Sequence, residues 1–459
     1  MSELPLGWCH VTFDNVIETI TNGVNGKQNK DGIGLPVSRI ETIANQSIDM
    51  ERIGFVSDYV EENFKKYRLN EGDILFSHIN SPSHLGKTAL CGKNIKLFHG
   101  VNLLRIVVNG AVTPEFFNFY CKYIRGVGEF SLKAQHAVNQ SSLNQQKLKQ
   151  FILPIAPLNE QIRIANKLDS VLAKVDAAQA RLEKIPTLLK RFRQSVLAAA
   201  TSGELTREWR GICESRDEFL TWKFLNIPSS WEIKLLPEVS EARLGKMLDK
   251  NKNQGLPTKY LGNINVRWWS FDLVDLKEIL LSEKERIELQ IQNGDLLLCE
   301  GGEPGRGAIW KNGECDLTFQ KALHRVRFNE RVLPEFALFC IENDFFQNRL
   351  ALLYTGTTIK HLTGKALNTY PIPVPPIDEQ QEIVRRVESL LALADTVEKQ
   401  YLAAKQRLDR LSQSILAKAF RGELVPQDPN DEPAAELLKR IKAERQAQPA
   451  ANRKRSKSA

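Results

Sequence analysis

The sequence contains no apolar stretch of the roughly 18 residues that a membrane-spanning helix needs. Secretion is not expected, because the N-terminal segment MSELPLGWCH lacks the basic and then apolar layout of a signal peptide. The seven cysteines include no CxxC pair, and most lie among apolar residues, as reduced thiols in a cytoplasm do. The seven histidines are scattered along the chain, which gives no support for a metal site.

The sequence also lacks the short motifs that carry chemistry. The tetrapeptide of amino-methyltransferases, Asn or Asp followed by Pro-Pro and Phe or Tyr, does not occur, since Pro375-Pro376 follows Val374. There is no FxGxG loop for S-adenosylmethionine, no convincing carboxylate cluster of a nuclease and no local Ser/His/Asp arrangement. We therefore expect a chain without catalytic chemistry of its own.

Length and charge give the first positive indications. A chain of 459 residues, 42% hydrophobic and 26% charged, is typical of a globular protein with two or three domains. The net charge of +8 favours a polyanionic partner such as nucleic acid. Part of this excess lies in the terminal segment RKRSKSA, so charge alone does not identify the partner.

The chain repeats itself. The segment LPIAPLNEQIRI returns as IPVPPIDEQQEI, and Glu160 then corresponds to Glu379, an offset of 219 residues. Upstream, the segments LPLGW and IPSSW place Trp8 opposite Trp231, and we interpret both as core anchors. Each half therefore reads as a variable module, with short β-rich runs and helical patches, followed by a constant helical segment. The modules indicate α/β or α+β domains of undetermined topology.

Within each constant segment, apolar residues recur at alternating spacings of four and three residues for more than four heptads. This spacing predicts a coiled-coil seam on one long helix in each half, and the two helices can bury their seams against each other. The alternative is two unrelated amphipathic helices on separate domains. The predicted seam residues are Ile164, Leu168, Val171, Val175, Leu182, Leu189 and Val196 in the first half, and Ile383, Val387, Leu390, Val397, Leu408, Leu411 and Ile415 in the second.

The ends of both helices are marked in the sequence. Asn159 and Asp378 are the predicted N-caps, and Gly203 and Gly422 stand where the helices should stop. Pro186 should kink the first helix or restart it, because an interior proline costs about 3 kcal/mol. Its counterpart in the second helix is a lysine, so the two helices need not be equally straight.

The triplet Gly86-Lys87-Thr88 resembles the end of a phosphate-binding loop. Such a loop needs GxxxxGK[ST], but Ser81 stands where the first glycine belongs. The duplicate has Gly305-Arg306-Gly307, without the lysine and without a hydroxyl for Mg²⁺. The acidic pair Asp378-Glu379 opens a helix rather than ending a strand. An ATPase is therefore disfavoured, but it stays open as a rival class, and nucleotide turnover by the isolated chain that Lys87→Ala abolishes would revive it.

Both halves share a glycine, a cation and a small residue before an apolar run, which we interpret as a turn that presents a cation. Polar side chains near this turn, and those of a second segment (residues 137–143 and 355–362), can contact base edges or phosphates. The alternative is that these are ordinary solvated loops. The candidate DNA-binding residues are Ser77, His78, Asn80, Ser83, His84, Lys87, Asn139 and Ser141 in the first half, and Glu300, Glu303, Arg306, Thr357, Lys360 and His361 in the second.

At this point the sequence resembles a known family. The twin segments PLNEQ and PPIDEQ, and the twin segments QSVLAAATSGELT and QSILAKAFRGELV, are similar to those of the specificity subunit of type I restriction–modification enzymes (HsdS), in particular the enterobacterial type IA group. The resemblance covers essentially the whole chain. It is specific in the helices and weak in the variable modules.

The resemblance implies two α/β (α+β) target-recognition domains separated by two long antiparallel coiled-coil helices, with an internal pseudo-two-fold repeat. Each domain would read one half of an asymmetric, bipartite site on double-stranded DNA, and the helices would set the spacing. Two modification (methyltransferase) subunits and two restriction (translocase and nuclease) subunits would be the partners. S-adenosylmethionine, ATP and Mg²⁺ would belong to those subunits and not to this chain, and the location would be the bacterial cytoplasm.

The expected domains follow from the repeat. They are a target-recognition domain (1–152), a helical spacer (153–210), a second target-recognition domain (211–371), a second spacer (372–425) and a helical and basic tail (426–459). Another class remains open, namely a stand-alone DNA-binding or coiled-coil scaffold protein without a methyltransferase partner.

Overall fold

The structure is a computed structural model that describes residues 4–57, 61–137, 140–220, 224–249, 251–313 and 315–447. It divides into two compact units, the first formed by residues 1–182 with 403–459 and the second by residues 183–402. Both boundaries fall in the constant helical regions. Each unit therefore contains one variable module and helical residues from both halves of the repeat.

Each module contains a four-stranded antiparallel sheet of the same topology. The strands of the first unit, in order across the sheet, are Ile17–Asn22, Leu104–Val108, Ile74–Phe76 and Thr88–Leu90. Those of the second unit are Ser240–Leu244, Leu323–Phe328, Leu296–Cys299 and Gly307–Ile309. The repeat thus extends to the modules, where the sequences have diverged.

One helix packs on each of these sheets. In the first unit it is Pro114–Gly126, and the hydroxyl of Thr113 caps it by accepting the N–H of Phe116 at 3.3 Å. In the second unit it is Pro334–Phe346. Both begin with proline, which suits the first helical position because no N–H is lost from the helix. Phe116, Phe117 and Phe119 of the first helix are buried in the core of the first unit, and Phe336 and Phe339 of the second helix are buried in the core of the second unit.

The remaining elements confirm mixed helix and strand content. Apart from the ribbon strands described below, the first unit has a two-stranded sheet, Leu35–Val37 with Gly54–Val56, and a three-stranded sheet, Ile79–Asn80 with Gln140–Ser142 and Gln135–Ala137. The second unit has two two-stranded sheets, Ser215–Phe219 with Phe224–Pro228 and Val266–Arg267 with Ser270–Phe271. It also has a three-stranded sheet, Lys277–Leu281 with Leu256–Leu261 and Thr318–Phe319. The short helices are Phe13–Val16, Glu61–Phe64, Glu129–Lys133, Gln145–Lys149, Arg207–Arg210, Leu236–Val239, Glu283–Glu288 and Gly364–Leu367, and single 3₁₀ turns are Glu41–Ile43, Lys65–Tyr67, Glu204–Thr206, Asn263–Asn265 and Leu350–Leu353.

A two-stranded antiparallel ribbon joins the start of each module to its end. Cys9–Thr12 pairs with Ile152–Ile155, and Glu232–Leu235 pairs with Pro371–Val374. The second strand of each ribbon leads directly into a constant helix. The ribbon therefore fixes where the helix leaves the module.

The constant regions form long helices, as the heptad pattern predicts. The first is broken into Leu158–Leu182 and Ile185–Ser202, with Pro186 in the first turn of the second piece. The second runs without a break from Ile377 to Phe420, 44 residues, and the shorter helix Ala434–Ala447 follows it. The prediction that proline restarts only the first helix is confirmed. Among the helices of the described ranges, none has the length and apolarity needed to cross a bilayer.

The predicted C-terminal ends of the two helices are confirmed, and the predicted N-caps are wrong. Gly203 and Gly422 follow the last turns with left-handed backbone, at φ of 80° and 73°, as predicted. Asn159 and Asp378 are not N-caps, because the helices begin one residue earlier, at Leu158 and Ile377. The first helical hydrogen bonds start from the carbonyls of the preceding prolines, which moves both residues into the first turn.

In the second unit, the two helical regions run antiparallel. Arg193 bonds to Asp395 at 2.7 Å, and the carbonyl of Leu205 accepts from Arg386 at 2.8 Å. Residue numbers therefore rise along one helical region while they fall along the other. The first unit shows the same order, since Arg163 pairs with Asp431 at 2.8 Å while residues 169–176 and 412–416 line one cavity.

The predicted seam faces the two cores. Ile164, Leu168, Val175 and Ile415 are buried in the first core, and Val196, Ile383 and Val387 are buried in the second. Val171, Leu182, Leu189, Leu390, Val397 and Leu408 are half-buried. Because each core holds residues from both helical regions, the alternative of helices on separate domains is wrong.

The seam prediction fails at Leu411, which is 45% exposed. At 100° per residue, Leu411 lies about 80° around the helix from Ile383, further than any other predicted seam residue of that helix. A heptad repeat places its apolar residues every 3.5 residues on average, whereas a helical turn has 3.6 residues. The resulting rotation of about 20° per heptad adds up over the four heptads from Ile383 to Leu411.

Each constant helix is tied to its module by the same buried pair. The indole N–H of Trp8 donates to Oε2 of Glu160 at 3.0 Å, and that of Trp231 donates to Oε2 of Glu379 at 3.0 Å. Both tryptophans and both carboxylates are buried. The interpretation of the tryptophans as core anchors is confirmed, and the glutamates of the NEQ and DEQ segments are their partners.

The glutamine that follows each glutamate binds only backbone groups. Gln161 accepts the N–H of Thr113 at 2.9 Å and donates to the carbonyls of Ala111 and Ala156. Its duplicate, Gln380, accepts from and donates to backbone groups in the same way. The Trp-Glu-Gln set, which we call the latch, therefore joins the ribbon, the module helix and the constant helix.

The two latches differ in one respect. The second oxygen of Glu379 accepts from Thr206 at 2.7 Å and from Arg210, but the corresponding positions of the other half hold Val425 and Pro429, whose side chains cannot donate. The second oxygen of Glu160 is buried without a hydrogen-bond partner among the described residues. Burial raises the pKa of Glu160 above its ordinary value.

We predict opposite effects of the same substitution in the two latches. Glu160→Gln keeps an acceptor for Trp8 and removes a buried charge, so it should stabilise the first unit at about pH 8. Glu379→Gln leaves the guanidinium of Arg210 without its carboxylate and should lower the free energy of unfolding by about 2–4 kcal/mol.

The pH dependence follows from the raised pKa. Because folded Glu160 holds its proton to a higher pH than the unfolded chain does, stability falls as pH rises through the folded pKa, and Glu160→Gln should lack this decrease. Calorimetric unfolding of Glu160→Gln and Glu379→Gln, at pH values below and above the folded pKa of Glu160, measures these changes in stability. Equal destabilisation by the two substitutions would contradict the difference between the latches.

Candidate nucleic-acid interface

The glycine–cation turn has the same construction in both units. It joins two paired strands of the main sheet, and Gly86 and Gly305 adopt left-handed backbone at φ of 73° and 93°. A Cβ atom on Gly86 would lie 2.4 Å from the ring of Phe130, and one on Gly305 would lie 2.7 Å from Leu350. Conformation and close packing together explain why both halves retain glycine here.

The cation of each turn holds the turn to a facing segment. Nζ of Lys87 donates to the carbonyl of Ala44 at 2.7 Å, and the guanidinium of Arg306 donates to the carbonyl of Asn263 at 3.0 Å and to Glu303 at 2.6 Å. Both backbone acceptors belong to, or directly follow, a single 3₁₀ turn. Burial and the neighbouring Arg125 lower the pKa of Lys87. Each cation thus has a structural role in its module.

The structure brings together the two polar segments that the sequence proposed in each half. The N–H of Leu143 donates to the carbonyl of His78 at 2.8 Å, and that of Leu362 donates to the carbonyl of Glu300 at 2.7 Å. A Cβ on Gly301 would lie 3.2 Å from His361, which shows how closely the segments approach. The turn and the second segment form one surface in each unit, which we call the turn surface.

Exposure divides the candidate residues. Thr357, Lys360 and Ser83 are exposed, while His84, Lys87, Glu300, Glu303, Arg306 and His361 are half-buried. Ser77, His78 and Ser141 are buried, because they occupy inward-facing positions of strands or adjoining backbone. The structure does not present these three at the surface, and burial lowers the pKa of His78. Asn139 and the side chain of Asn80 lie outside the described residues.

Residues that the sequence analysis did not select complete the turn surface. Arg125 donates to the carbonyls of Leu85 at 3.1 Å and Ser83 at 2.6 Å, and Asn263 donates to the carbonyl of Gly301 at 2.8 Å. These contacts join residues about 40 positions apart. No local spacing in the sequence signals them.

In each unit a buried aspartate pairs with a half-buried arginine of the main sheet. Asp73 bonds to Arg105 at 2.8 Å, and Asp295 bonds to Arg327 at 2.7 Å. Each aspartate also accepts a backbone N–H three residues before it. Both modules contain the dipeptide Gly-Asp at this position, so the aspartate could have been found from the sequence. Its arginine partner could not, because it lies about 32 residues further along the chain.

Comparison with known proteins now decides the family. The model of the type I restriction modification DNA specificity domain matches the chain twice, over residues 5–187 and 228–405. The chain belongs to this family. It is 32% identical to the specificity subunit of the type I restriction enzyme EcoKI from Escherichia coli K12, over 99% of both chains. The predicted resemblance is confirmed.

Solved structures show the same fold. One chain, from a study of complex assembly and conformational transition of the type I R-M system, superposes with a TM-score of 0.62 over 92% of this chain, at 17% identity. The HsdS subunit from Thermoanaerobacter tengcongensis superposes with a TM-score of 0.55 over 92% of this chain, at 18% identity. The predicted fold class, two mixed domains with repeated helices, is confirmed.

We predict that Lys360 and Arg306 contribute differently to DNA binding by this family member. Lys360 is exposed, and Nζ donates to the carbonyl of Gly356 at 3.0 Å at the surface, so Lys360→Ala should weaken DNA binding and lower the number of ions released on binding by about one without changing stability. Arg306→Ala should weaken binding and also lower the free energy of unfolding by about 1–2 kcal/mol, because two part-buried contacts are lost.

The measurement is DNA affinity at several salt concentrations, together with thermal unfolding. Lys284→Ala is the matched control, because Lys284 is an exposed lysine of the same unit whose pairing with Glu288 is 3.9 Å long. An unchanged affinity of Lys360→Ala would remove this part of the turn surface from the interface.

Proposed function

We propose that the chain is the DNA-reading subunit of a type I restriction–modification complex. Each module reads one half of an asymmetric, interrupted site on double-stranded DNA. The observation that carries the proposal is the turn surface, which has the same backbone construction in both units but different side chains. In the repeat, Ser83 and His84 of the first unit correspond to Gly302 and Glu303 of the second, and Lys360 of the second corresponds to Ser141, so the two surfaces suit different base sequences.

The constant helices set the spacing between the half-sites. The unbroken helix has 44 residues and rises about 66 Å at 1.5 Å per residue, which is close to two turns of B-DNA at ~34 Å per turn. Both cores contain residues of this helix together with residues of the other helical region. A helix of fixed length suits a site whose two halves lie at a fixed separation.

The partners are those that the family implies, namely two modification (methyltransferase) subunits and two restriction (translocase and nuclease) subunits. Two copies of a constant helical segment suit two copies of the modification subunit. S-adenosylmethionine, ATP and Mg²⁺ act in those subunits, and this chain contributes no catalytic group. With DNA as its target, the chain functions in the bacterial cytoplasm.

We predict that exchange of one module changes one half of the target only. Residues 13–151, taken from a relative with a different target, would be inserted between the strands of the first ribbon. This junction retains Trp8, Glu160 and Gln161, so the latch can form again with backbone groups of the new module. The readout is the sequence around methylated adenines in cells that carry the complete system.

The reciprocal exchange of residues 236–370 is the matched control and should change the other half-site. An exchange that alters both halves of the target, or neither, would contradict modular reading. Purification of the chain without any methyltransferase subunit from its native cells would instead favour a stand-alone DNA-binding or scaffold protein.

A further inference from the structure

The first unit contains a cavity that the DNA-reading function does not use. Its volume is about 630 Å³, within the range of small-ligand pockets. It lies between the module helix Pro114–Gly126, the segment after the first 3₁₀ turn, and the two helical regions of this unit. Arg125, which contacts the turn surface, also lines this cavity, but none of the candidate DNA-binding residues predicted from the sequence does.

The wall of the cavity carries polar groups that lack partners. Oδ1 of Asn118, Oε1 of Gln46 and Oε1 of Gln413 are buried without a hydrogen bond among the described residues. Asn118 is only 5% exposed. Such groups cost free energy unless something in the cavity satisfies them. Residues that line the cavity therefore carry acceptors whose donors the described residues do not supply.

The duplicate in the second unit shows what fills the equivalent space. Gln46 and Trp269 have the same left-handed backbone, at φ of 58° and 63°, and each stands three residues before an aspartate whose N–H bonds back to a 3₁₀ turn. The indole of Trp269 donates to Glu342 at 2.7 Å and packs against Phe339, with ring centroids 4.9 Å apart. The second unit thus fills the site with its own tryptophan.

The first unit has different residues at the corresponding positions. Where the second unit has Trp268 and Trp269, the first has Asn45 and Gln46, and Lys122 takes the position of Glu342 on the module helix. Two indoles are replaced by two short amides, and the cavity is the space that remains. Phe119, the duplicate of Phe339, still lines the wall and offers a ring for stacking.

We propose that this cavity binds an aromatic N–H donor side chain, a tryptophan, carried by a cationic segment of a partner polypeptide. The in-chain occupant of the duplicate is itself a tryptophan side chain. Carboxylates of Glu115, Asp169 and Asp176 line the cavity and exceed its two cations, Lys122 and Arg125. This charge favours a cationic flank and repels the phosphates that would accompany a nucleobase.

The experiment uses the full chain and a blocked lysine–tryptophan–lysine tripeptide, with binding followed by ligand-observed NMR. The expected dissociation constant is on the order of 1 mM, as for one buried aromatic group in a pocket. A lysine–alanine–lysine tripeptide should bind at least about tenfold more weakly, and deoxyadenosine 5′-monophosphate should bind more weakly than the tryptophan peptide.

Two variants test the location. Gln46→Trp with Lys122→Glu copies the second unit, so it should fill the cavity from within the chain and abolish peptide binding. Asn118→Leu also copies the duplicate and should weaken binding by about tenfold through loss of one acceptor, and it provides the test if the double variant does not fold. Lys174→Glu, an equal charge change outside the cavity on the helix Leu158–Leu182, should leave peptide binding unchanged.

Three results would overturn the proposal. The first is an affinity that both cavity variants leave unchanged. The second is tighter binding of the nucleotide than of the tryptophan peptide, which would assign the cavity to a base. The third is equal behaviour of the two tripeptides, which would show that the cavity holds water only. Each readout is independent of DNA recognition, so the proposed function can stand or fall separately.

Discussion

The buried latch is the constraint on which the rest of the structure depends. In each unit an indole N–H donates to a buried carboxylate at 3.0 Å, and the adjacent glutamine bonds to two backbone groups of the module and to one carbonyl just before the constant helix. Because the glutamine binds backbone atoms only, its contacts do not depend on the side chains of the module. A module can therefore change its sequence and still leave the ribbon in the same place. The latch therefore allows the module sequences to vary while the ribbon and the constant helix keep their structure.

The internal repeat provides a comparison of two solutions to one physical problem. Both latches bury a glutamate, but only Glu379 has donors for both oxygens, from Thr206 and Arg210. Both modules form a pocket beside the module helix, but only the second fills it, with Trp269. In each case the second unit is satisfied from within and the first leaves acceptors open. The two halves share one fold, and they differ in what they leave available to other molecules.

The parts of the fold that could be predicted from the sequence are those fixed by local patterns. Heptad spacing located the helices, Pro186 located the break, and the offset of 219 residues identified the repeat. The errors arose where geometry accumulates or contacts are distant. Leu411 leaves the seam because angular drift adds up over four heptads, and Lys87 is held by a carbonyl 43 residues away. The burial of Ser77 and Ser141 depends on strand pairing, which no spacing reveals.

Comparison of the two halves also distinguishes the structural residues of the turn surface from those available to contact DNA bases. A feature shared by two modules that read different sequences cannot itself carry the difference between those sequences. The glycine and the cation of the turn are shared, and both have structural partners, so they belong to the scaffold or to phosphate contact. We therefore propose that base discrimination comes from exposed positions where the halves differ, such as Ser83 and Lys360. Repetition in this chain marks what holds the reading surfaces, and divergence marks what they read.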